Sequence, residues 1–373
     1  MKKKRRIKKS IKICFIFIIL IALTILSYWI INKNGGKDFN FNKFVNENKI
    51  TYPIVNKISL VATGDALLHN PVYISAYDNS TESFNFAPQL ELVKDEIKNY
   101  DIKYYNQETV FGGKLTDRFN CKYNMPGYCS YPYFNSPSEF GDAMVDAGFN
   151  MISLASNHSA DCTYASDTCI TNSYNYWKSK NVIFDGFNED ESKENKYNIG
   201  EKNGIKYGFL NYTNTLNGLD NSVSNIKYKI DLYDEETAKK EIEDLKTKVD
   251  VVIVAMHWHK ASAEYETVPT QANKEIANYL ASLGVDIILG TYSHCLQPFD
   301  IIGNTVFINR MNHYEPKGGS HELRCKSNQE TDPGSQFPEE EIRQPAVSDL
   351  LQDCLCSCSV SLRDRCQHLY RHV

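Results

Sequence analysis

The sequence predicts an α/β fold, a layered sandwich of sheets and helices preceded by an N-terminal transmembrane helix. Apolar runs with strand character alternate with amphipathic segments of helical period between residues 57 and 309. Strands that alternate with helices are typical of parallel sheets covered by helices on their faces. Near the N-terminus a run of nineteen residues carries no charge. These observations predict a membrane-anchored α/β protein.

The uncharged run covers residues 13–31 and follows a basic segment, in which eight of the first twelve residues are Lys or Arg. About twenty apolar residues cross a bilayer as a helix. The run is longer than the roughly 7–15 apolar residues of a signal peptide. We therefore predict that residues 1–12 are a cytoplasmic stub and that 13–31 are a single-pass anchor in the cell membrane, with the main domain extracellular. A long cleaved signal is the alternative.

Composition divides the rest of the chain into three parts. Residues 32–56 are polar and rich in Asn and Lys, which predicts a linker. Residues 57–309 form the predicted domain. Residues 310–373 are richer in Arg and poorer in Lys and Asn, which indicates a disordered, frameshifted or fused tail. Its alternative is a Cys/His metal cluster, but its C-x-C-x-C spacing differs from the usual C-x₂₋₄-C pattern.

The elements of the domain follow from local patterns. Segment 87–100 has apolar residues at a spacing near 3.6, which predicts a helix, and Ser138 precedes a second helix as a predicted N-cap. Gly303 and Asn304 separate two short apolar runs, which predicts a hairpin. The predicted strands are 57–63, 101–106, 150–156, 182–186, 205–213, 249–259, 285–294, 298–302 and 304–309. The predicted helices are 87–100, 138–149, 171–181, 234–248 and 270–284.

Polar donors follow five of these apolar runs at their carboxyl ends. Open α/β sheets bind ligands at that edge, and oxygen and imidazole donors together suit Mn, Fe, Zn or Ca. Taken singly, each has a structural explanation, such as a turn cap or a loop charge. His257 and His259 alternate on one strand, so only one would face a common site, and we favour His257. The donors are Asp65, Glu108, Asn157, His158, His257, His259 and His294.

Four cysteines flank two short loops, which is consistent with local disulfides in an oxidising compartment. The first pair is Cys121 and Cys129, and the second is Cys162 and Cys169. Sequence alone leaves three pairings open. The net charge of −5, with eight of the 41 Lys and Arg residues in the first twelve positions, argues against nucleic acid as a partner.

Five stretches together resemble the motifs of the CapA (PGA_cap) family, in order and in spacing. They are GDALLH, NQET, SNHSAD, HWHKASAEYETVPTQ and GVDIILGTYSHCLQP, within residues 57–309. This family is associated with poly-γ-glutamate capsule synthesis and export in bacteria. Its domain is similar to the calcineurin-like metallophosphoesterases, so the resemblance implies a metallophosphoesterase-like sandwich and hydrolysis assisted by divalent metals.

The resemblance also implies roles for individual residues. His158 would stabilise the transition state or protonate the leaving group. Two positions depart from the family pattern, because Tyr292 replaces a histidine and His259 replaces a glycine. His259 or His69 would then serve in the site, and we count His259 with His158 as catalytic. The implied metal ligands are Asp65, Glu108, Asn157, His257 and His294.

The implied partners are the membrane, a polyglutamate synthase or export complex, and an anionic polymer or phosphoester substrate. Two alternatives stay open at this stage. One is an independent extracytoplasmic metallophosphoesterase, and the other is a non-catalytic polymer-binding module on a decayed hydrolase scaffold. Whether the protein is an enzyme therefore depends on the geometry of the site.

Overall fold

The computed structural model describes residues 56–114, 127–162, 167–192, 197–258, 266–294 and 297–309. The predicted stub, anchor and tail lie outside these ranges, as does all but the last residue of the predicted linker. Within the described ranges, no helix combines the length and the apolar character needed to cross a membrane.

The first sheet has four strands, all parallel, in the order β1-β4-β5-β6. Its register pairs Asp65 with Asn106 and Asn106 with Ser153, so that polar residues meet at the carboxyl ends of neighbouring strands. The strands are β1 Leu60–Asp65, β4 Ile102–Asn106, β5 Met151–Ser153 and β6 Ile183–Asp185.

Four helices and a small hairpin accompany this sheet. The hairpin pairs β2, Tyr77–Asp78, with β3, Ser83–Phe84. Apolar side chains of the helices pack against outward residues of the strands in one buried cluster, which fixes the helices on that face. The helices are α1 Asn70–Ala76, α2 Ala87–Ile97, α3 Glu139–Ala147 and α4 Thr168–Lys178.

The second sheet has six strands in the order β11-β12-β10-β9-β8-β7. Its four central strands run parallel, and an antiparallel strand closes each edge. All seven residues of β9 are buried, as expected for the centre of a sheet covered on both faces. The strands are β7 Asn198–Lys202, β8 Ile205–Thr213, β9 Val251–His257, β10 Ile287–Thr291, β11 Asp300–Ile302 and β12 Thr305–Ile308.

Two capped helices cover the outer face of the second sheet. Helix α5, Glu235–Leu245, begins after Asp234, whose side chain accepts a hydrogen bond from the Thr237 amide. Helix α6, Gln271–Ser282, begins after Thr270, which accepts from Asn273. Both caps satisfy an amide that the helix itself leaves unpaired. A 3₁₀ helix, Ser224–Lys229, lies in the β8–α5 connection.

Three apolar clusters separate the layers. One joins the helices α1–α4 to the first sheet, and another joins α5 and α6 to the second sheet. The third lies between the sheets, where Leu60, Tyr104 and Met151 of the first sheet meet Phe209 and Ile253 of the second. The molecule is therefore a sandwich of helices, two sheets and helices.

The predicted α/β fold with parallel strands is confirmed, and so is the hairpin turning at Gly303. Some details of the prediction were wrong. Ser138 occupies the N-cap position of α3, but its side chain makes no capping hydrogen bond. The strand predicted over 285–294 ends at Thr291, because Tyr292 and His294 adopt positive φ angles that no strand contains. The strand β7 and the β2–β3 hairpin were not predicted.

Candidate metal centre

Six of the seven predicted donors lie within the described residues. They are at or after the carboxyl ends of strands in the two sheets. Asp65 and His257 are the last residues of β1 and β9. Glu108 follows β4 by two residues, and His294 follows β10 by three. One oxygen or nitrogen from each of Asp65, Glu108 and His257 lies within 4.8 Å of the others, a spacing that can hold a metal ion.

Glu108 has the most unusual environment of these residues. Its carboxylate is fully buried, and neither oxygen has a hydrogen-bond partner among the described residues. Instead, the Nε2 atoms of His158, His257 and His294 lie 3.9, 3.7 and 3.9 Å from Glu108 Oε1. Burial, and secondarily the charge of Asp65, raise the pKa of Glu108. A buried carboxylate without partners is costly unless a cation compensates it.

Asp65 faces two of these three imidazoles, those of His257 and His294, at their Nδ1 atoms. His257 Nδ1 lies 3.7 Å from Asp65 Oδ1, and His294 Nδ1 lies 3.3 Å from Asp65 Oδ2. The side-chain amide of Asn106 donates to Asp65 Oδ1 at 2.8 Å. Burial alone would raise the pKa of Asp65, but the hydrogen bond and charge of His294 and the charge of His257 lower it. Asp65 is therefore held as a carboxylate.

His257 is oriented by hydrogen bonds at both ring nitrogens. Its Nε2 donates to Asn157 Oδ1 at 2.9 Å, because an amide oxygen only accepts. Its Nδ1 lies 2.7 Å from the Thr291 hydroxyl and 3.2 Å from the Asn106 amide nitrogen, both of which can donate. The β9–β10 register places Thr291 directly beside His257. The imidazole is thus fixed by its neighbours before any ligand binds.

The turn after β10 carries Tyr292 and His294, which have φ angles of 99° and 49°. Non-glycine residues rarely adopt such angles, and they persist where surrounding contacts compensate the strain. Here the Tyr292 amide donates to Asp65 Oδ2 at 3.1 Å. The buried Tyr292 ring lies against His257 and His294, with centroids 5.6 and 5.7 Å away. Tyr292 thus packs beside the site, at the position where the PGA_cap pattern has a histidine.

His158 faces Glu108 from the loop after β5 and is paired with Asp161. Its Nδ1 donates to Asp161 Oδ2 at 2.6 Å, and the Phe134 amide donates to the same oxygen at 2.7 Å. Burial opposes a charge on His158, but the charge and hydrogen bond of Asp161 outweigh it, so the pKa of His158 is raised. The Nε2 side of the ring, which points toward Glu108, is where a proton can be exchanged with a substrate.

The donor set fits one or more divalent cations. Two donors on one ion lie at most about 4.2 Å apart, because each bond is about 2.1 Å long. The distances from Glu108 Oε1 to the three imidazoles fall within this limit. Carboxylate, amide and imidazole groups are ligands that Zn, Mn and Fe accept. The partnerless oxygens of Glu108 are the part of the site that a cation would satisfy.

Several supporting residues were not predicted from the sequence. Asp161 lies three positions after His158, a short spacing that was visible in the SNHSAD stretch. Asn106 and Thr291 orient His257 only through strand register, which a sequence without pairing information does not give. Predicted catalytic His259 lies outside the described residues. His69, the other proposed substitute, packs its ring on Phe134 with centroids 5.0 Å apart.

Two of the four cysteines form a disulfide in the described structure, between Cys162 and Cys169. Cys129 is disulfide-bonded as well, and Cys121 lies outside the described residues. The Cys162–Cys169 bond closes the segment that follows His158 and Asp161. It therefore lies next to the proposed catalytic loop in sequence.

Comparisons with known proteins were consistent at the level of family. The sequence profile of the family described as bacterial capsule synthesis protein PGA_cap matches residues 59–309. The PGA biosynthesis protein CapA of Bacillus subtilis (strain 168) is 23% identical over 172 residues, covering 46% of this chain and 43% of that protein. The capsule biosynthesis protein CapA of Bacillus anthracis is 24% identical over 190 residues, covering 47% and 44%. Each match spans less than half of the relative's length.

Among solved structures, a putative 5′-nucleotidase from Staphylococcus aureus aligns with a TM-score of 0.38 and 11% sequence identity. The alignment covers 68% of this chain and 48% of that chain.

Proposed function

The chain belongs to the bacterial capsule synthesis protein PGA_cap family, and from this premise we propose that it is a metal-dependent hydrolase that acts in capsule polymer synthesis or export. The reaction that the site supports best is hydrolysis of a phosphoester, with an amide of a polyglutamate chain as the other bond class. The observation that carries the proposal is the buried Glu108 carboxylate, which three imidazoles face and which accepts no hydrogen bond from the residues that the structure describes.

Under this proposal, the described residues divide the chemistry between them. Asp65, Glu108, Asn157, His257 and His294 would hold the cations. When bound, divalent cations would polarise a substrate oxygen and make a water molecule a better nucleophile. His158, whose pKa is raised by its contact with Asp161, would donate from Nε2 to the leaving oxygen or stabilise the charge that develops. Thr291 and Asn106 would keep the His257 ring in its orientation.

The biological setting is also part of the proposal. The basic N-terminal residues and the uncharged run over 13–31 support a single-pass membrane anchor with an extracytoplasmic domain. An anchor would hold the domain beside a membrane-bound polyglutamate synthase or export complex, which family membership makes the expected partner. The substrate would then be an anionic polymer or a phosphoester of the cell envelope.

The experiment that tests the function measures bound metal and turnover together. Full-length protein would be purified in mild detergent, loaded with Mn, Fe, Zn or Ca, and analysed by inductively coupled plasma mass spectrometry. Turnover would be measured on p-nitrophenyl phosphate, bis-p-nitrophenyl phosphate and poly-γ-glutamate. We expect bound divalent metal, hydrolysis of at least one substrate, and loss of both in His257→Ala. Asp244→Ala, on the exposed side of α5 and paired with Lys248, is the control and should keep both.

Three results would contradict the proposal or part of it. Wild-type protein that binds no divalent metal under any of these conditions would exclude the metal centre. Protein that binds metal but hydrolyses none of the three substrates would favour the polymer-binding alternative. Hydrolysis of the phosphoesters without a capsule defect in a deletion strain would instead favour an independent extracytoplasmic metallophosphoesterase.

A further inference from the structure

A disulfide ties the end of the loop after β5 to helix α4. The bond joins Cys162, the residue immediately after Asp161, to Cys169, the second residue of the helix. Cys169 is 1% exposed, so the bond is anchored in the core and not at the surface. The loop that precedes it carries Asn157, His158 and Asp161. The disulfide therefore ends the same segment that supplies the proposed acid.

The two sulfurs also rest on the backbone of the Glu108 loop. A Cβ atom added at Gly112 would lie 2.5 Å from Cys169 Sγ and 2.7 Å from Cys162 Sγ, so only glycine leaves room for the bond. Gly112 follows Glu108 by four residues. One disulfide thus contacts the loop that carries the Glu108 carboxylate and tethers the end of the loop that carries the imidazole facing it.

Hydrogen bonds also link the Glu108 loop, the loop after β5 and helix α4 around the disulfide. The Gly112 amide donates to Asn135 Oδ1 at 2.8 Å, and Asn172 of α4 donates to the Gly112 carbonyl at 2.7 Å. The Phe134 amide, next to Asn135, donates to Asp161 Oδ2 at 2.7 Å. The Asp161 side chain is therefore held by a hydrogen bond, and its backbone is joined directly to the disulfide-linked Cys162.

We propose that the Cys162–Cys169 disulfide is a positioning element for the proposed hydrolysis: it fixes Asp161, and through Asp161 the His158 imidazole, over Glu108. Its catalytic consequence rests on the proposed function. His158 lies five residues beyond the end of β5, where no strand ladder constrains it. A displacement of about 1 Å in a catalytic group can cost about 100-fold in rate, and a cross-link in this loop restricts such displacements.

The test compares the full-length protein with a Cys162→Ser/Cys169→Ser double variant. Amide hydrogen exchange by mass spectrometry, metal content, kcat and KM would be measured for both. We expect exchange in residues 154–161 to accelerate at least tenfold while β8, β9 and β10 stay protected. Metal content and KM should change less than twofold, and kcat should fall at least tenfold, because the proton donor is displaced while four of the five proposed ligands lie outside the loosened loop. The fifth, Asn157, is also held by its hydrogen bond with His257.

A destabilised control separates positioning from general stability. Leu280→Ala removes a fully buried side chain of α6, which packs on the other sheet. It should lower thermal stability without accelerating exchange in residues 154–161. If the double variant does not accumulate as folded protein, reduction of the folded wild type provides the same comparison. A Cys129→Ser variant reduced in parallel identifies any contribution from the disulfide at Cys129.

The possible outcomes distinguish failure of the positioning role from failure of the proposed function. Unchanged exchange in residues 154–161, or an unchanged kcat in an active enzyme, would overturn the positioning role. Exchange that accelerates throughout the domain, as in a globally destabilised protein, would overturn it as well. Selective acceleration in residues 154–161, in a protein whose wild type hydrolyses nothing, would support the positioning role and reject the proposed function.

Discussion

Two regions supply the site in different ways, namely the strand ends and the loop after β5. Asp65 ends β1, at the edge of the first sheet, and His257 ends β9, in the middle of the second. Both are 0% exposed and are placed by the ladders of the two sheets. Residues 154–161 leave a strand of only three residues and are placed mainly by side-chain hydrogen bonds, such as Ser156 Oγ to the Glu108 carbonyl at 2.9 Å. Under the proposed function, the strand ends would supply most of the ligands, and the loop would supply Asn157 and the proton donor.

The strongest test of this division is His158→Ala. Removal of a general acid costs about 10²–10⁴ in rate, and we expect a loss of that size in kcat with bound metal unchanged. Steady-state kinetics and metal analysis on the same preparation check it. Asp167→Asn is an expected neutral control, because Asp167 is partly exposed and pairs with Lys229. A loss of metal in His158→Ala would mean that His158 itself helps to hold the cation.

The complementary test is Asp65→Ala, at a strand end. Bound metal should fall, and with it the extra stability that metal gives the folded state. A ligand present at 100 times its Kd stabilises by about 2.7 kcal/mol, so the wild type should gain about that much on metal addition and the variant should not. Thermal unfolding with and without metal measures both. An Asp65→Ala protein that is still stabilised by metal would remove Asp65 from the ligand set.

The pH dependence of unfolding of the metal-free protein tests the effect of burying the Glu108 carboxyl group between the two regions. Burial and Asp65 raise the pKa of Glu108 from 4.5 to about 8. The folded state therefore holds this proton more tightly than the unfolded state. The contribution of Glu108 to stability should be complete below pH 4.5 and be lost as the pH rises to about 8, by on the order of 5 kcal/mol.

Glu108→Gln, which cannot ionise, should lack this decline, and urea unfolding at several pH values would show it. Asp65 acts in the opposite direction and at lower pH, because its pKa is lowered from 3.8 to about 2. Its contribution is complete above pH 3.8 and is lost as the pH falls toward 2. A decline between pH 4.5 and 8 that persists in Glu108→Gln would assign it to another group.

The smallest expected effect comes from Thr291→Val, which removes one hydrogen bond to His257 and keeps the side-chain shape. Loss of a partner that orients a metal ligand typically costs 10–100-fold in metal affinity. We expect the lower end, about tenfold, because Asn106 still contacts the same nitrogen. Metal titration by calorimetry measures it, and Thr270→Val at the α6 cap is the control for stability. An unchanged affinity would show that the strand alone orients His257.

Much of this arrangement could be predicted because strand direction is local information. The apolar runs before Asp65 and His257 gave both the strand and the edge at which the residue would lie. The contacts of Asn106 and Thr291 could not be predicted, because they depend on which strands are neighbours and in what register. The predicted end of β10 was wrong for a related reason. The Tyr292 amide donates to the Asp65 carboxylate, which is distant in sequence.

The long connection between Asp65 and Tyr292 has a consequence for how the protein acquires its metal. The two residues are 227 positions apart, and they meet only after both sheets have formed and docked. An unfolded chain offers no preformed site of this kind. If the centre binds metal, the ion is therefore selected at the place and time at which folding ends. The compartment that completes folding, and the ions it supplies, would then decide which metal the mature protein carries.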